Sequence, residues 1–382
     1  MCSVRTAVSG VLKRILCDLC GYPLLTFSSC TIRSFVVIFT LRPHPHSNQE
    51  SNVKTKMLLR LCLGLLFAAS AAFHPAAFAQ KIKVGYWTSG FSLGFGAVME
   101  QMKFAEKEGL DVEWVKFSEV NGPTRAIVPQ AIDLAFAAPS TASMSIAADG
   151  VPVRIVLATQ IAEAQLMVLE GSPVKSAADL KGKKIGMSPP GSTTHAIVTA
   201  IIEGNFGLKS GEYSVAPGNE GRLAQFLIQK EIDAAAIRSV TIAQMQEVKL
   251  RRLASIVDEW KKLTKSNAAP ILAVTIVHSD YVAKNPEAVA KFIAATRKAL
   301  EYGSKNKQHV GEILQKAANM KADDAQAYAA QWDGAYMASL EPQDIASMKR
   351  MYSILLASGK AQKPVPESAF LAAPYQRSKQ IK

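Results

Sequence analysis

Beyond Cys62 the chain has no cysteine. All five cysteines (Cys2, Cys17, Cys20, Cys30 and Cys62) lie before Gln80. The 303 residues from Gln80 onward therefore contain no disulfide, no thiolate metal site and no cysteine nucleophile. Histidine is almost as scarce there: His195, His278 and His309 are far apart, unlike a cluster of metal ligands. Gly-x-Ser-x-Gly, HExxH and phosphate-loop motifs are all missing, which argues against the commonest hydrolases and nucleotide enzymes. No segment after Gln80 approaches 18 consecutive apolar residues, so that part of the chain is expected to be soluble.

What is present is a globular composition. The 382 residues are 49% hydrophobic and 20% charged, which excludes disordered, collagen-like and disulfide-scaffold classes. Lysine and arginine (44) outnumber aspartate and glutamate (31), for a net charge of +13. That excess is uneven. Residues 1–79 carry eight basic and two acidic residues, a net of +6, and the remainder carries +7. Arg251-Arg252 and Lys261-Lys262 are short runs on a solvated face, so no nucleic-acid partner is expected.

The N-terminal excess belongs to a targeting pattern. Lys54-Thr-Lys-Met-Leu-Leu-Arg60 is basic, residues 61–73 are mostly apolar, and Ala77-Phe-Ala79 is a small-x-small cleavage site. These are the parts of a secretory signal peptide starting at Met57 and cleaved after Ala79. Residues 1–56 read as an upstream extension. Their lone Cys17-Asp-Leu-Cys20 has no second pair, so no metal is expected.

After Gln80 the pattern alternates between periods of two and 3.6 residues. Strands are expected at 81–87, 111–116, 133–137 and 153–158, with helices at 93–107, 123–130 and 140–148 between them. Ser140 is expected to cap the third helix. This is an α/β unit with a largely parallel sheet. A second, smaller unit follows: strands at 165–169, 184–188, 213–215, 232–237 and 252–256, with helices from Ser192 or Thr193 to Ile202, at 220–229 and at 242–248. Ser176-Ala-Ala-Asp179 is a capping box. Residues 270–277 form a long apolar strand without a partner in the second unit. Helices are then expected at 286–304, 310–318, 322–337 and 342–357, before a tail from Pro364. No repeat is evident. The chain therefore builds lobe one (80–164), crosses to lobe two (165–269), and returns to complete lobe one (270–382). Two crossings make a hinge, and the cleft between the lobes is the natural ligand site.

The motifs "Ile132-Asp-Leu-Ala", "Pro139-Ser-Thr", "Ala148-Asp-Gly-Val-Pro-Val153", "Ala178-Asp-Leu-Lys-Gly-Lys-Lys-Ile-Gly186", "Gly191-Ser-Thr-Thr-His195" and "Ile232-Asp-Ala" resemble periplasmic substrate-binding proteins of ABC importers. The closest branch is the nitrate, sulfonate and taurine group, related to the thiamine-precursor binders. The resemblance implies a two-lobed type II periplasmic-binding-protein fold with the C-terminal helices on lobe one. It also implies a monomer without cofactor or catalysis, which captures a small anionic organic solute in the periplasm for an inner-membrane ABC permease. A pyrimidine or thiamine precursor, another organic acid, or a same-fold enzyme is the alternative. One departure stands out. Where the taurine branch often has an aromatic residue and Trp-x-Pro after "Asp-Ala", this chain reads Ala234-Ala-Ala-Ile-Arg-Ser-Val240. Arg238 stands near the place of the missing aromatic wall.

Ligands of open α/β sheets sit beyond the carboxyl ends of the strands, so four loops should face the cleft. In the first, Tyr86-Trp87-Thr88, one of the two aromatic neighbours walls the ligand and the other is core. Ser140 and Thr141 open a helix whose N–H groups and dipole suit an anion. Gly191, Ser192, Thr193 and Thr194 do the same with three hydroxyls, and His195 lies just inside that helix. Arg238 in the fourth loop is suited to clamping a sulfonate, carboxylate or phosphate. At the crossing, Gln160 and Glu163 are candidate contacts. Glu163 either meets a ligand ammonium or caps the hinge.

Overall fold

A computed structural model describes residues 80–245 and 247–381. The proposed upstream extension, its Cys17–Cys20 pair and the signal peptide lie outside the described residues.

Among the described residues the strands are β1 (Gln80–Trp87), β2 (Leu110–Phe117), β3 (Leu134–Pro139), β4 (Val153–Ile161), β5 (Gln165–Leu169), β6 (Lys184–Met187), β7 (Ser214–Pro217), β8 (Ala234–Ile237), β9 (Leu250–Ser255), β10 (Ile271–His278) and β11 (Tyr336–Ser339). They form two sheets, ordered β11-β4-β10-β3-β1-β2 and β7-β6-β8-β5-β9. In β1 the alternation Lys-Ile-Lys-Val buries Ile82 and Val84 and exposes Lys81 and Lys83. β3 is buried along its whole length, as a compact apolar run predicts.

The first sheet is mixed rather than largely parallel. β1 pairs in parallel with β2 and β3, but β10 runs antiparallel between β3 and β4. The chain leaves the first sheet from the end of β4 and returns at that same end. The Ala162 N–H donates to the Pro270 carbonyl there (2.8 Å). A strand entering where another exits must run against it. Beside this crossing, the Ile256 N–H donates to the Ala164 carbonyl (3.0 Å), so the segments between the sheets are tied side by side.

The two sheets repeat one device. Asp133 and Asp233 each donate a backbone N–H to the carbonyl of a lysine in a neighbouring strand, Lys83 of β1 or Lys184 of β6, and accept that lysine's backbone N–H on Oδ2, all at 2.8 Å. The preceding isoleucines, Ile132 and Ile232, pack on Gly85 and Gly186, where a Cβ would collide with them. A positive-φ residue, Gln130 or Lys230, closes the helix before each turn. The repeated "x-Ile-Asp" is thus an internal repeat that sequence alone did not reveal.

Most expected helices appear. The first is broken: Gly90–Gln101 and Phe104–Lys107 are separated at Lys103, whose φ is 53°. The expected helix at 322–337 also ends early. Helices Ala322–Ala330 and Trp332–Ala335 give way to β11, because Tyr336 pairs with Gln160 of β4. Helices Ile256–Thr264 and Ala373–Ser378 were not expected. The C-terminal helices cover the first sheet, where Phe95, Phe136, Phe292, Trp332 and Tyr336 stack with ring centroids 4.5–5.7 Å apart. Two of them also reach the second sheet's helices: 322–330 packs on Ser239–Gln244, and Pro342–Ala357 on Thr193–Gly204.

Candidate functional site

Six strands aim their carboxyl ends at one place. β1, β2 and β3 come from the first sheet, and β6, β7 and β8 from the second. Between them lies a cavity of about 430 Å³. Its walls come from both sheets: Trp87, residues 118–120 and Pro139 on one side, residues 188–190, 217–220 and Arg238 on the other. Loops after parallel strands collect here because each strand's last carbonyls lead into a turn and the next helix N-terminus.

Arg238 follows β8 directly and is only 5% exposed. Its guanidinium carbon lies 5.1 Å over the Phe91 ring, and its Nη1 is 3.8 Å from Oε1 of Glu220. Nη1 is buried and has no hydrogen-bond partner among the described residues. A buried unsatisfied donor costs about 1–3 kcal/mol, more when charged. Glu220 is committed elsewhere through Oε2, which accepts the Arg238 backbone N–H (3.1 Å) and the Thr241 hydroxyl (2.7 Å). Behind Phe91, the Tyr336 hydroxyl donates to the Phe91 carbonyl (2.7 Å) and the Tyr328 hydroxyl donates to the Gly90 carbonyl. Burial pushes both phenols well above their ordinary range, and Tyr336 is raised further by Tyr328.

The hydroxyl loop reaches the cavity as expected. Ser192, Thr193 and Thr194 all line it. Ser192 caps helix Thr193–Gly204 by accepting the His195 N–H (3.2 Å). Trp87 lines the cavity and donates its indole N–H to the Ser118 carbonyl (3.1 Å). Gln160 is buried on the wall, with Nε2 3.3 Å from the Ser92 hydroxyl.

Other expected contacts are placed elsewhere. Tyr86 points to the opposite face of β1, is 1% exposed and donates its hydroxyl to Glu100 (2.9 Å), so of the two aromatic neighbours it is the core residue. Thr88 gives both its N–H and hydroxyl to the Phe117 carbonyl, pinning β1 to β2. Ser140 does not cap its helix. Its hydroxyl donates to the Ile271 carbonyl (2.6 Å) and lies 3.2 Å from Thr193 Oγ1. The Thr141 N–H and hydroxyl meet the same Thr193 oxygen at 3.2 Å, so both are spent on closing one sheet's helix against the other's. Gly191 adopts φ +85°, and a Cβ there would meet Asn121 Nδ2 at 2.9 Å, so its close approach is to the protein. Glu163 accepts the Ser239 N–H (3.1 Å) and hydroxyl, which makes it a cap beside Arg238. His195 is half-buried and off the cavity wall. Burial holds its pKa below the usual value against a hydrogen bond with the Ser188 backbone, and the Lys360 charge lowers it further.

Residues 118–120 and 217–220 were missed, although they follow β2 and β7 and obey the same strand-end rule. Ala137 and residues 188–190, with Ser92, Arg222, Leu272 and Ala273, complete the missed wall. Among the described residues no group of three or more His, Cys, Asp or Glu could hold a metal, and no helix is long and apolar enough to cross a membrane.

Two mixed sheets joined by paired crossings, with a cavity at their facing strand ends, are the fold of periplasmic binding proteins. Residues 98–309 match the family described as NMT1/THI5 like, and the chain belongs to that family. A protein of Brucella abortus (strain 2308), named only as a binding protein, is 25% identical over 337 residues, 85% of this chain and 99% of its own. The taurine-binding periplasmic protein of Escherichia coli (strain K12) is 25% identical over 229 residues, 59% of this chain and 68% of its own. Among solved structures, the alkanesulfonate-binding protein SsuA from Xanthomonas axonopodis pv. citri, bound to MOPS, has a TM-score of 0.65 at 17% identity and covers 78% of this chain and 100% of its own. A desulfurization enzyme, DSZB, shares the fold with a TM-score of 0.57 at 15% identity, covering 79% of this chain and 99% of its own.

Proposed function

We propose that this protein is the extracytoplasmic solute-binding component of an ABC import system and captures a small organic anion. On this reading residues 57–79 direct export to the periplasm. Residues 80–164 with 270–382 form one lobe, and residues 165–269 form the other. The lobes close about the two crossings, and a membrane permease receives the solute. The observation that carries the anion assignment is the nearly buried Arg238 on the cavity wall, whose Nη1 has no hydrogen-bond partner among the described residues. An oxyanion supplies the acceptor that Arg238 lacks, and such charge-assisted bonds are the strong ones. Ser192, Thr193 and Thr194, at a helix N-terminus, add hydroxyls and a favourable dipole. The relatives named for binding taurine and alkanesulfonates support the same class.

Titration calorimetry of the purified protein against sulfonates, carboxylates, nitrate and pyrimidines tests this reading. At least one organic anion should bind, and Arg238→Ala should weaken it by more than about tenfold, the loss of one charge-assisted bond of 1.5–3 kcal/mol. Unchanged binding in that variant sinks the clamp. Turnover of any panel member indicates an enzyme instead.

A further inference from the structure

We infer that the anion taken by this site carries an aromatic body directly behind its charged group, seated against Trp87. The inference rests on the organic-anion reading above and narrows it. Three observations point the same way.

The first is room. A cavity of about 430 Å³ holds some 14 water volumes at ~30 Å³ each. That volume lies within the roughly 300–1,000 Å³ of organic-ligand pockets, so it has room for a ring behind the charged group.

The second is placement. A Cβ built at Gly90 would run into both Arg238 Nη1 and the outer edge of the Trp87 ring, so the guanidinium and the indole are neighbours across that glycine. The indole cannot swing freely, because its N–H is held by the Ser118 carbonyl. Phe91 already lies under the guanidinium. A charged group on Arg238 thus brings the next atoms of its ligand alongside a fixed aromatic surface.

The third is the apolar part of the remaining wall, which stands beside the polar Ser92, Ser118, Glu119, Ser188, Asn219 and Arg222. Pro139, Pro189, Pro190, Leu272 and Ala273 also line the cavity. Proline has no N–H to offer, and none of these side chains hydrogen-bonds. A polar tail laid against these five residues would give up its water without replacement, whereas a ring gains by burial there.

The test is calorimetric, with ethanesulfonate and benzenesulfonate as matched probes on wild-type protein and on Trp87→Ala, Trp87→Phe and Arg238→Ala variants, each checked for native circular dichroism. Benzenesulfonate should bind wild type at least about tenfold more tightly than ethanesulfonate, a difference of about 1.4 kcal/mol. Trp87→Ala should abolish that preference, costing benzenesulfonate about tenfold more than it costs ethanesulfonate, and Trp87→Phe should restore most of it. Equal affinities in wild type, or an equal loss for both probes in Trp87→Ala, overturn the aromatic body while the anion reading stands. No binding of either probe to wild type overturns this inference. Binding of both probes to Arg238→Ala at wild-type strength overturns the anion clamp beneath it.

Discussion

Arg238 concentrates the energetic tension of the molecule. Its charge is buried, its ion-pair partner Glu220 is 3.8 Å away, and Nη1 has no acceptor among the described residues. Proteins tolerate such an orphan where a ligand completes it. His195 illustrates the opposite arrangement, a titratable group that burial keeps neutral. Its folded pKa lies below the ordinary value, so near that value the unfolded chain binds more protons than the folded one. Stability is therefore lost as pH falls through the unfolded pKa of about 6.5. Urea unfolding of wild type and His195→Gln at pH 7 and pH 5 should show a larger loss for wild type. Identical pH slopes would remove His195 from the account. Residue identities in the loops were partly legible: Arg238 and residues 192–194 follow from the strand-end rule and helix N-terminal chemistry. The rest depends on contacts distant in sequence. Ser140, Thr141 and Glu163 have the chemistry of ligand contacts, but their polar atoms are spent on partners distant in sequence, Thr193 and Ser239.

At the scale of elements, local sequence signals served where neighbours along the chain decide the structure. Ser192 as a cap and the Ser176–Asp179 box are read directly from spacing. Elements decided by distant partners were not legible. β11 continues a helical pattern until Tyr336 pairs with Gln160, and the helix at 373–378 sits against Pro286–Lys305. Helix Ile256–Thr264 was within reach, since Ser255 accepts the Asp258 N–H and Ile256 and Trp260 share a buried face. Gly303 shows packing overriding propensity. Alanine is the better helix former by about 1 kcal/mol, yet a Cβ at Gly303 would enter the Trp332 indole. That ring is fixed by its N–H to the Leu300 carbonyl (2.9 Å) and by Phe95 and Tyr336. Gly303→Ala should therefore destabilise the protein by about 1–3 kcal/mol in denaturant titrations. A stabilised variant would show that the indole yields.

At the scale of the whole molecule, the excursion from the first sheet to the second and back was visible in the sequence as one unpartnered apolar strand at 270–277. Its direction was not visible, because antiparallel insertion between β3 and β4 depends on where the crossings meet, at Ala162 and Pro270. The repeated isoleucine–aspartate turn makes the two halves local copies of one scheme, and the strands that follow it, β3 and β8, both end at the same cavity. The proposed solute-capture role follows from that convergence. Its most direct test is a crystal structure of the protein with the best-binding organic anion. The account predicts anion oxygens within hydrogen-bond distance, about 2.7–3.2 Å, of Arg238 Nη1, with residues 192–194 beside them. An anion bound outside this cavity, or inside it with Nη1 still without an acceptor, would contradict it.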